Sequence, residues 1–348
     1  MSRDELEKLA VAQGQPRYRG SQLYRGIYSR REQDLARLTD LGLGFRSFLS
    51  SNYQVGYPRV QANFKSRDGA VRYLLELEDH QSVEAVYMPE EDRTTLCISS
   101  QVGCAVDCRF CFTALVGLKR NLTAGEMVGQ VLVITTAQHI APRSRLNVVF
   151  MGMGEPLLNL GPVMKAVNIM ADAAGLGIAL RRVTISTSGI VPQIYALARE
   201  PLRPKLAISL NASTEEQRTA LMPLNRKYPL RDLLAACRAY PLRPRERLTF
   251  EYVMLDGIND SPADAARVGD LLRGIPARVN LIPYNGGEAL SYRASPLPRV
   301  LEFQQLLSER NVPAYIRISR GRDIMAACGQ LSLVTNPQIT QIAQGLST

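Results

Sequence analysis

The stretch Cys104-Ala-Val-Asp-Cys108-Arg-Phe-Cys111 places three thiols at C-x3-C-x2-C spacing, directly after an apolar, strand-like run at 94–101. Three cysteines so close on one loop can face a single point, and thiolates are the usual ligands of iron–sulfur clusters, which generally take four. Three local cysteines would leave one iron open to another molecule. A zinc site would require a fourth Cys or His at short spacing, which is missing here. Three buried or disulfide-bonded cysteines are the alternative, although Asp107 and Arg109 suit a buried segment poorly.

Strand-like and helix-like segments alternate from this stretch onward. The strand-like segments are 94–101, 147–151, 182–186, 205–210, 248–255 and 278–283, with a seventh apolar run at 314–318. The helical patterns between them are 123–138, 161–174, 192–200, 230–240, 262–272 and 299–309. The first helical pattern begins with the capping signature Thr123-Ala-Gly-Glu126. About six such units predict an α/β fold with a parallel sheet, either open or closing toward a barrel.

Polar and glycine-rich stretches lie where these predicted strands end. In parallel barrels, functional residues gather at the carboxyl ends of the strands. The stretches are the cysteine loop, Gly152-Met-Gly154-Glu155-Pro156, Ser186-Thr-Ser188-Gly189, Ser209-Leu210-Asn211 and Pro283-Tyr-Asn285-Gly-Gly, with Glu251 inside the fifth strand. Backbone groups and neutral side chains of this kind can bind a polar cofactor. The second stretch lacks the third glycine of a dinucleotide-binding fingerprint.

The part before residue 93 has a different pattern. Residues 1–50 predict short helices at 5–13, 21–29 and 31–38. Arginines and tyrosines interleave there, which is typical of RNA contacts; an amphipathic helix with solvated arginines and core tyrosines is the alternative. The residues concerned are Arg17, Tyr18, Arg19, Tyr24, Arg25, Tyr28, Arg30 and Arg31. Residues 71–78 and 82–88 alternate like two antiparallel strands, and this alternation places Glu84 on a solvent face.

Composition narrows the class of protein. Of 348 residues, 46 % are hydrophobic and 21 % charged, which is an ordinary globular balance, and no apolar run is long enough to cross a membrane. The acidic, amphipathic start is unlike a signal peptide, and six cysteines do not make a disulfide scaffold, so we expect a cytoplasmic protein. The net charge of +10 falls entirely after residue 96, which favours a polyanionic partner. Two histidines outside any motif argue against a His-based triad or zinc centre.

Three cysteines lie outside the first cluster. Cys328 falls in a glycine-bounded stretch after the last predicted unit, where a loop could fold back over the barrel mouth. Cys97 lies inside the first strand, and Cys237 lies on the apolar face of a helix and is assigned to the core. A thiol near a cofactor can be a nucleophile, whereas an isolated buried cysteine is usually structural. Residue type alone leaves both interpretations open for Cys97 and Cys328.

The cysteine motif resembles that of the radical S-adenosylmethionine superfamily, and the chain more closely resembles its RlmN/Cfr family of ribosomal RNA adenine methyltransferases. The matching strings are Thr95-Leu-Cys-Ile-Ser-Ser-Gln-Val-Gly-Cys-Ala-Val, Arg120-Asn-Leu-Thr-Ala-Gly-Glu, Met151-Gly-Met-Gly-Glu-Pro-Leu-Leu-Asn-Leu, Arg182-Val-Thr-Ile-Ser-Thr-Ser-Gly, Glu251-Tyr-Val-Met-Leu and Asp323-Ile-Met-Ala-Ala-Cys-Gly-Gln-Leu. The resemblance implies a partial (β/α)6 TIM-like barrel of the radical S-adenosylmethionine type at 93–348. It also implies a small N-terminal helical, RNA-contacting domain at 1–58 and a β extension at 59–92.

The resemblance also implies a role for each matching residue. Cys104, Cys108 and Cys111 would hold a [4Fe-4S] cluster whose open iron binds S-adenosylmethionine. The positions that match S-adenosylmethionine contacts are Gly154, Glu155, Ser186, Ser209, Leu210, Asn211 and Asn285. Cys328 matches the cysteine that a first S-adenosylmethionine methylates, and Cys97 matches its transient disulfide partner. Glu84 matches the assigned proton acceptor.

The implied reaction joins the methyl carbon of Cys328 to an adenine. A second S-adenosylmethionine is cleaved to a 5′-deoxyadenosyl radical, which takes hydrogen from that methyl group, and the resulting carbon radical adds to the ring. The ring proton must then leave, which needs a base. Disulfide formation with a second thiol releases the product. Carbon 2 of adenine is electron-poor, so a radical route suits it.

The family's substrates set the expected partners. The expected substrates are 23S ribosomal RNA, unassembled or partly assembled, and transfer RNA. We also expect an external electron donor such as flavodoxin, and we expect the enzyme to be a monomer. Carbon 2 of a peptidyl-transferase-centre adenine is favoured, and carbon 8, the position of the antibiotic-resistance relatives, is the alternative. The departures from the family pattern are Phe112, Ala114, Asn211 and the Gly-Gly pair after Asn285.

Two other classes of function remain open from the sequence. A radical S-adenosylmethionine enzyme acting on a peptide or small molecule would share the cluster but would not need Cys328 and Cys97. A non-catalytic iron–sulfur or zinc RNA-binding module is the other, and the series of cofactor-like strand ends argues against it.

Overall fold

The structure is a computed structural model that describes residues 1–287 and 290–333. Its strands are β1 (Arg59–Lys65), β2 (Val71–Glu76), β3 (Ser82–Pro89), β4 (Thr94–Cys97), β5 (Gln101–Val102), β6 (Arg120–Asn121), β7 (Leu146–Phe150), β8 (Val183–Thr187), β9 (Lys205–Ser209), β10 (Leu248–Met254), β11 (Ala277–Pro283) and β12 (Ala314–Ile316). Its α-helices are α1 (Arg3–Ala12), α2 (Arg17–Tyr28), α3 (Leu43–Asn52), α4 (Phe112–Val116), α5 (Ala124–Ala137), α6 (Leu160–Ala171), α7 (Val191–Ala198), α8 (Glu215–Leu221), α9 (Leu230–Ala239), α10 (Pro262–Leu271) and α11 (Leu297–Glu309).

One ten-stranded sheet organises the described part of the chain, in the order β1-β2-β3-β4-β7-β8-β9-β10-β11-β12. The first four strands pair antiparallel, and every pairing from β4 to β12 is parallel. The parallel part does not close on itself, because β4 pairs with β3 and β12 is the opposite edge. The predicted α/β fold with a partial barrel and a β extension is confirmed.

The first predicted strand is the exception, because 94–101 is interrupted. β4 ends at Cys97, and β5 pairs antiparallel with β6 in a separate two-stranded sheet. The backbone N–H groups between them leave the main ladder: Ser99 donates to Oε1 of Gln130 at 2.8 Å, and Ser100 donates to the carbonyl of Met153 at 2.9 Å. This break directs the chain out of the sheet and toward the cysteine loop.

Two helix predictions were wrong. Residues 31–38 contain only a short 3-10 turn, and α3 begins at Leu43, where no helix was predicted. Burial of Phe45 and Leu49 stabilises that helix, because apolar residues four apart lie on one face. Helix α8 was missed, although Thr214-Glu-Glu-Gln217 is a capping signature in which Thr214 Oγ1 accepts the N–H of Gln217 at 3.2 Å.

The N-terminal helices share a hydrophobic core with the barrel. Leu6, Leu23 and Leu49 belong to the same buried cluster as Val131 and Val148. The proposed boundary near residue 58 therefore separates helices from strands, but it does not separate two cores.

Burial also decides the roles of the N-terminal tyrosines. Tyr24 and Tyr28 are core residues, so the prediction that they stack on RNA bases is wrong. Tyr18, by contrast, is exposed. Arg17 pairs with Glu7 and Arg30 with Asp40, so both help to fix the helices. None of the helices that the structure describes combines the length and apolar character needed to span a bilayer.

Candidate active site at the carboxyl ends of the parallel strands

The cysteine loop lies between β5 and α4 and is fixed on two sides. The N–H of Arg109 donates to the carbonyl of Leu221, the last residue of α8, at 2.9 Å. On the other side, the N–H of Phe112 donates to the carbonyl of Gly329 at 2.8 Å, and Thr113 Oγ1 donates to the carbonyl of Leu331 at 2.6 Å. The loop that bears Cys328 therefore folds back and contacts the cluster loop directly.

The three loop cysteines fit a [4Fe-4S] cluster. Cys104, Cys108 and Cys111 are free and partly accessible. Burial raises the pKa of the Cys104 thiol to about 12, and burial together with the other two thiols raises the pKa of Cys108 well above its usual range. Such thiols bind metal as thiolates and need iron to offset the negative charge. Cys104 Sγ accepts the N–H of Val106 at 3.4 Å, a kind of hydrogen bond that tunes cluster thiolates.

The described residues contain no preformed site for a single metal ion. Within residues 1–287 and 290–333, no three His, Cys, Asp or Glu side chains are close enough to ligate one ion together. In a [4Fe-4S] cluster each cysteine binds a different iron, so its sulfurs lie farther apart than around one zinc ion.

The loop after β7 is fixed by Glu155. Its carboxylate accepts the Ser188 N–H at 2.7 Å and the Ser188 hydroxyl at 2.6 Å, and its own N–H donates to Gln101 Oε1 at 2.8 Å. Burial raises the pKa of Glu155, and the hydrogen bonds from Ser188 oppose that rise. Gly154 has a φ of 101°, and a Cβ there would lie 2.6 Å from that of Gln101, so only glycine fits. Glu155 thus joins the ends of β7 and β8.

The next two strand ends place the other expected contacts around the same mouth. Ser186 lies in β8 and Ser209 ends β9, and both are half-buried. Leu210 is fully buried. Asn211 has a φ of 55°, and its Oδ1 accepts the N–H of Val253 at 2.9 Å. The amide therefore fixes the end of β10, and within the described residues its Nδ2 is bonded only to the Met222 sulfur, at 3.4 Å.

Asn285 supports the Cys328 loop. Its Nδ2 donates to Ser319 Oγ at 2.9 Å and to the carbonyl of Cys328 at 3.5 Å. Gln330 Nε2 reaches back to the carbonyl of Gly286 at 3.0 Å, which ties the loop to the end of β11. Asn285 thus contacts the backbone of the residue that is expected to carry the methyl group.

Two departures from the family pattern compensate each other in space. Phe112 is buried, and a Cβ at Gly287 would lie 2.6 Å from its Cζ atom. The bulky Phe112 therefore fits because Gly287 has no side chain. No contact in the described residues explains Ala114.

Cys328 and Cys97 are both free thiols near the mouth. Cys328 is accessible to water, yet the surrounding protein raises the pKa of its thiol to about 11, with Glu251 adding to the rise and Arg317 opposing it. Cys97 ends β4 with 7 % of its surface exposed, and burial raises its pKa, with a smaller contribution from Cys328. The two sulfurs are close enough to interact electrostatically, but they form no disulfide in this structure.

Glu84 is buried, so its predicted place on a solvent face is wrong. Its side chain is 1 % exposed and pairs with Arg72, which is equally buried. Glu84 Oε2 accepts the N–H groups of Ser332 at 2.9 Å and Leu333 at 3.3 Å. Burial raises the pKa of Glu84, whereas Arg72 lowers it. The C-terminal segment covers the face that strand alternation assigned to water.

Several residues that position the site were given no individual role by the sequence analysis. They are Gln101, Ser188, Arg72, Arg218, Asp323 and Gln330. Asp323 Oδ1 accepts the Ser66 hydroxyl at 2.5 Å, which joins the β extension to the Cys328 loop. Most of these contacts join residues far apart in the chain, so local pattern carried no signal for them. Arg218 is the exception, because the overlooked capping signature would have placed it on a helix.

Comparison with known proteins agrees with this geometry. Residues 98–268 match the model of the radical SAM superfamily. A protein of Koribacter versatilis named "Probable dual-specificity RNA methyltransferase RlmN" is 50 % identical over 335 residues, covering 91 % of this chain and 96 % of that protein. A dual-specificity RNA methyltransferase RlmN of an Anaeromyxobacter species is 47 % identical over 340 residues, covering 96 % of this chain and 90 % of the relative.

A solved structure has the same architecture. The crystal structure of a radical SAM methyltransferase from Sphaerobacter thermophilus superposes with a TM-score of 0.91 at 44 % identity, covering 95 % of this chain and 97 % of that one. Both the barrel and the N-terminal helices of this chain therefore have a counterpart in that crystal structure. With identities of this size over nearly the whole length, the chain belongs to the RlmN family of radical S-adenosylmethionine RNA methyltransferases.

Proposed function

We propose that this enzyme methylates carbon 2 of an adenine in 23S ribosomal RNA, and an adenine in transfer RNA, with Cys328 as the carrier of the methyl group. The observation that carries the proposal is the direct contact between the two cysteine-bearing loops. Phe112 N–H donates to the Gly329 carbonyl at 2.8 Å, one residue beyond Cys328 and one residue beyond Cys111. A methyl group on Cys328 would therefore lie beside the cofactor bound at the cluster loop.

Cys104, Cys108 and Cys111 would hold a [4Fe-4S] cluster, which when bound supplies the electron for cleaving S-adenosylmethionine. The residues proposed to surround S-adenosylmethionine are Gly154, Glu155, Ser186, Ser209, Leu210, Asn211 and Asn285. The carboxylate of Glu155 is already bonded to Ser188, so its part is to fix the loop while backbone groups face the cofactor. Asn211 keeps one weakly bonded N–H donor for a ligand.

Cys328 would first accept a methyl group from S-adenosylmethionine. A carbon–sulfur bond forms at Cys328 Sγ, the methyl–sulfonium bond breaks, and S-adenosylhomocysteine and the thiol proton leave. The accessibility of Cys328 suits this step, because both S-adenosylmethionine and the adenine of the RNA must reach the same sulfur atom. Its raised pKa means that the thiol is protonated at rest. Protonation protects it from reacting before the cofactor is bound.

Cys97 and Glu84 are proposed to complete the reaction. Cys97 would attack Cys328 Sγ, so that a sulfur–sulfur bond forms and the bond between Sγ and the methylene carbon breaks. The carbon keeps the electron pair and takes up a proton, the methylated adenine leaves, and an external reductant must reopen the disulfide. Glu84 would accept the ring proton. In this structure Arg72, Ser332 and Leu333 occupy its carboxylate, so the segment at 332–333 must move away before Glu84 can act as a base.

The remaining proposals concern partners and location. The net charge of +10 suits an RNA substrate, and Tyr18 and Arg25 are exposed on the helical domain proposed to contact it. The helical domain spans 1–58, the β extension 59–92 and the catalytic part 93–348. We further propose a monomeric, cytoplasmic enzyme that receives electrons from a flavodoxin-type donor and acts on ribosomal RNA before assembly is complete.

The test is anaerobic turnover of the reconstituted holoenzyme on 23S ribosomal RNA fragments and transfer RNA, followed by mass spectrometry of the nucleosides. The expected product is 2-methyladenosine in both RNAs. A product methylated at carbon 8 would identify a Cfr-type activity and contradict the proposed ring position. Cleavage of S-adenosylmethionine without any methylated nucleoside would contradict an RNA substrate.

A second experiment tests the resolving thiol. With Cys97→Ala, the adduct between Cys328 and the adenine has no thiol to release it, so we expect protein covalently bound to RNA. Denaturing gels of enzyme isolated from cells would show this as a nuclease-sensitive shift. Cys237→Ala, which removes a buried cysteine of α9, should give no shift. Free Cys97→Ala protein that methylates RNA normally would contradict the role.

A further inference from the structure

Arg218 is a fully buried cation without a carboxylate partner among the described residues. The residue has 0 % of its surface exposed, and no carboxylate oxygen in the described residues lies within 4.0 Å of its guanidinium. Its Nη1 donates to Asn225 Oδ1 at 3.0 Å, and its Nη2 donates to the carbonyls of Ser188 at 2.6 Å and Ser209 at 3.3 Å. Nε is buried and has no hydrogen-bond partner in the described part of the chain. A buried charge left in this state is unfavourable unless another charge offsets it.

The place of Arg218 points to the charge that offsets it. The carbonyls that it binds lie at the ends of β8 and β9, under the proposed cofactor mouth. Its helix α8 ends at Leu221, whose carbonyl accepts the N–H of Arg109, the residue after Cys108. Burial lowers the pKa of Arg218 to about 10, so it is still charged at neutral pH.

We infer that Arg218 is a positioning residue that provides the counter-charge for the iron–sulfur cluster. The inference rests on the proposed function, in that Cys104, Cys108 and Cys111 hold that cluster. Arg218 is fully covered, so it cannot touch a ligand in the mouth and acts only through its field and through the strand ends it joins. Three thiolates make the site negative, and reduction adds one electron from an external one-electron donor without a proton. A fixed positive charge nearby therefore favours both assembly and the reduced state.

The experiment uses the full chain reconstituted anaerobically with iron and sulfide. The midpoint potential is measured by titration with dithionite, followed by electron paramagnetic resonance, and iron and sulfide are counted per chain. For Arg218→Met we expect about a tenfold lower ratio of reduced to oxidised cluster at a given potential, a shift of about 59 mV for one electron. Arg218→Lys keeps the charge and should shift the ratio less than threefold.

The matched control is Arg109→Met. Arg109 adjoins Cys108 but is exposed and pairs with Asp107, so solvent screens its charge and we expect less than a twofold change. A wild-type ratio in Arg218→Met, or an equal shift in Arg218→Lys, would overturn the inference and leave Arg218 a purely structural residue. If the methionine variant does not fold, Arg218→Gln replaces it, and a lysine variant that folds but does not load with iron would equally overturn the counter-charge role.

Failure of the inference about Arg218 can be distinguished from failure of the proposed function. A wild-type chain that binds no [4Fe-4S] cluster contradicts the proposed function itself. A wild-type chain that loads and methylates RNA, with an unchanged potential in Arg218→Met, contradicts only the inference about Arg218.

Discussion

Arg72 and Arg218 are the two largest fully buried side chains in the described structure, and they differ in one respect. Arg72 pairs with the buried carboxylate of Glu84 and lies over the ring of Phe64, with 4.4 Å between the guanidinium carbon and the ring centroid. Arg218 has only carbonyl and amide acceptors. A cation paired with a carboxylate produces little net electrostatic field, so the pair suits a structural role in which it holds a neighbouring segment in place. An unpaired cation keeps its field, which suits a site that accumulates negative charge.

The Arg72–Glu84 pair is an anchor for the Cys328 loop. Through Glu84 it accepts the N–H groups of Ser332 and Leu333, four and five residues after Cys328. The β extension therefore does more than complete the sheet, because it determines where the C-terminal segment lies. The contrast between the two arginines gives four predictions for the protein without its cofactors.

The largest expected effect is that of Arg72→Met. Removing the cation leaves the buried carboxylate of Glu84 without a partner of opposite charge. We therefore expect a loss of about 3–5 kcal/mol in the free energy of unfolding, measured by urea denaturation. The control is Arg59→Met on the neighbouring strand, whose pair with Glu76 is exposed and should contribute about 0–1 kcal/mol. A loss below about 1 kcal/mol in Arg72→Met would show that the pair is not an anchor.

Arg218→Met should cost less, about 1–3 kcal/mol. The substitution removes an unpaired charge and leaves the carbonyl of Ser188 and Oδ1 of Asn225 without this donor. It does not leave a buried carboxylate unpaired. The same urea experiment measures it. Destabilisation equal to or larger than that of Arg72→Met would mean that an unseen anion pairs with Arg218 in the folded protein, which breaks the comparison.

The double variant Arg72→Met/Glu84→Met should recover most of the stability lost in Arg72→Met. Replacing a buried ion pair by apolar residues is often neutral, and the remaining cost of about 1–2 kcal/mol would come from the freed N–H groups of Ser332 and Leu333. Hydrogen exchange at these two amides should become faster, with little change at Cys97. Additive losses from the two single substitutions would contradict the coupling.

The smallest expected effect concerns Glu251, a buried carboxylate that has Asn280 as a partner but no arginine in contact. Burial raises its pKa in the folded state above the ordinary value of 4.5. The folded state therefore holds this proton more tightly than the unfolded chain, and the stability it contributes is lost as the pH rises above that value. Glu251→Gln removes this loss.

The check is urea denaturation of both proteins at several pH values. The unfolding free energy of Glu251→Gln minus that of the wild type should grow as the pH rises from about 4 to about 7. A difference that stays constant over this range would mean that the Glu251 pKa is the same in both states.

Local patterns predicted the barrel because its strands are short apolar runs with a regular spacing. β7, β8, β9 and β11 begin and end within one residue of the predicted bounds, and their ends bring together the stretches at Gly154, Ser186 and Ser209. The buried parallel sheet makes this possible, because apolar character, turn residues and the alternation with helices all report the same elements.

The two arginines could not be predicted in the same way. Alternation in β3 indicated a solvent face for Glu84, but a segment almost 250 residues later covers that face. Arg218 lies in a seven-residue helix with two glutamates, which is typical of a surface helix, and only the tertiary structure buries it. The roles of Cys97 and Glu84 came from family resemblance, since one strand cysteine and one strand glutamate carry no signal alone.

The central claim is that Cys328 carries the methyl group, and one measurement tests it most directly. Reconstituted Cys328→Ala and Cys237→Ala enzymes are incubated anaerobically with S-adenosylmethionine, reductant and 23S ribosomal RNA, and both 5′-deoxyadenosine and methylated adenine are quantified. We predict that Cys328→Ala still cleaves S-adenosylmethionine but forms no methylated adenine, whereas Cys237→Ala forms both products. Methylation of RNA by Cys328→Ala at the level of the wild type would contradict the account.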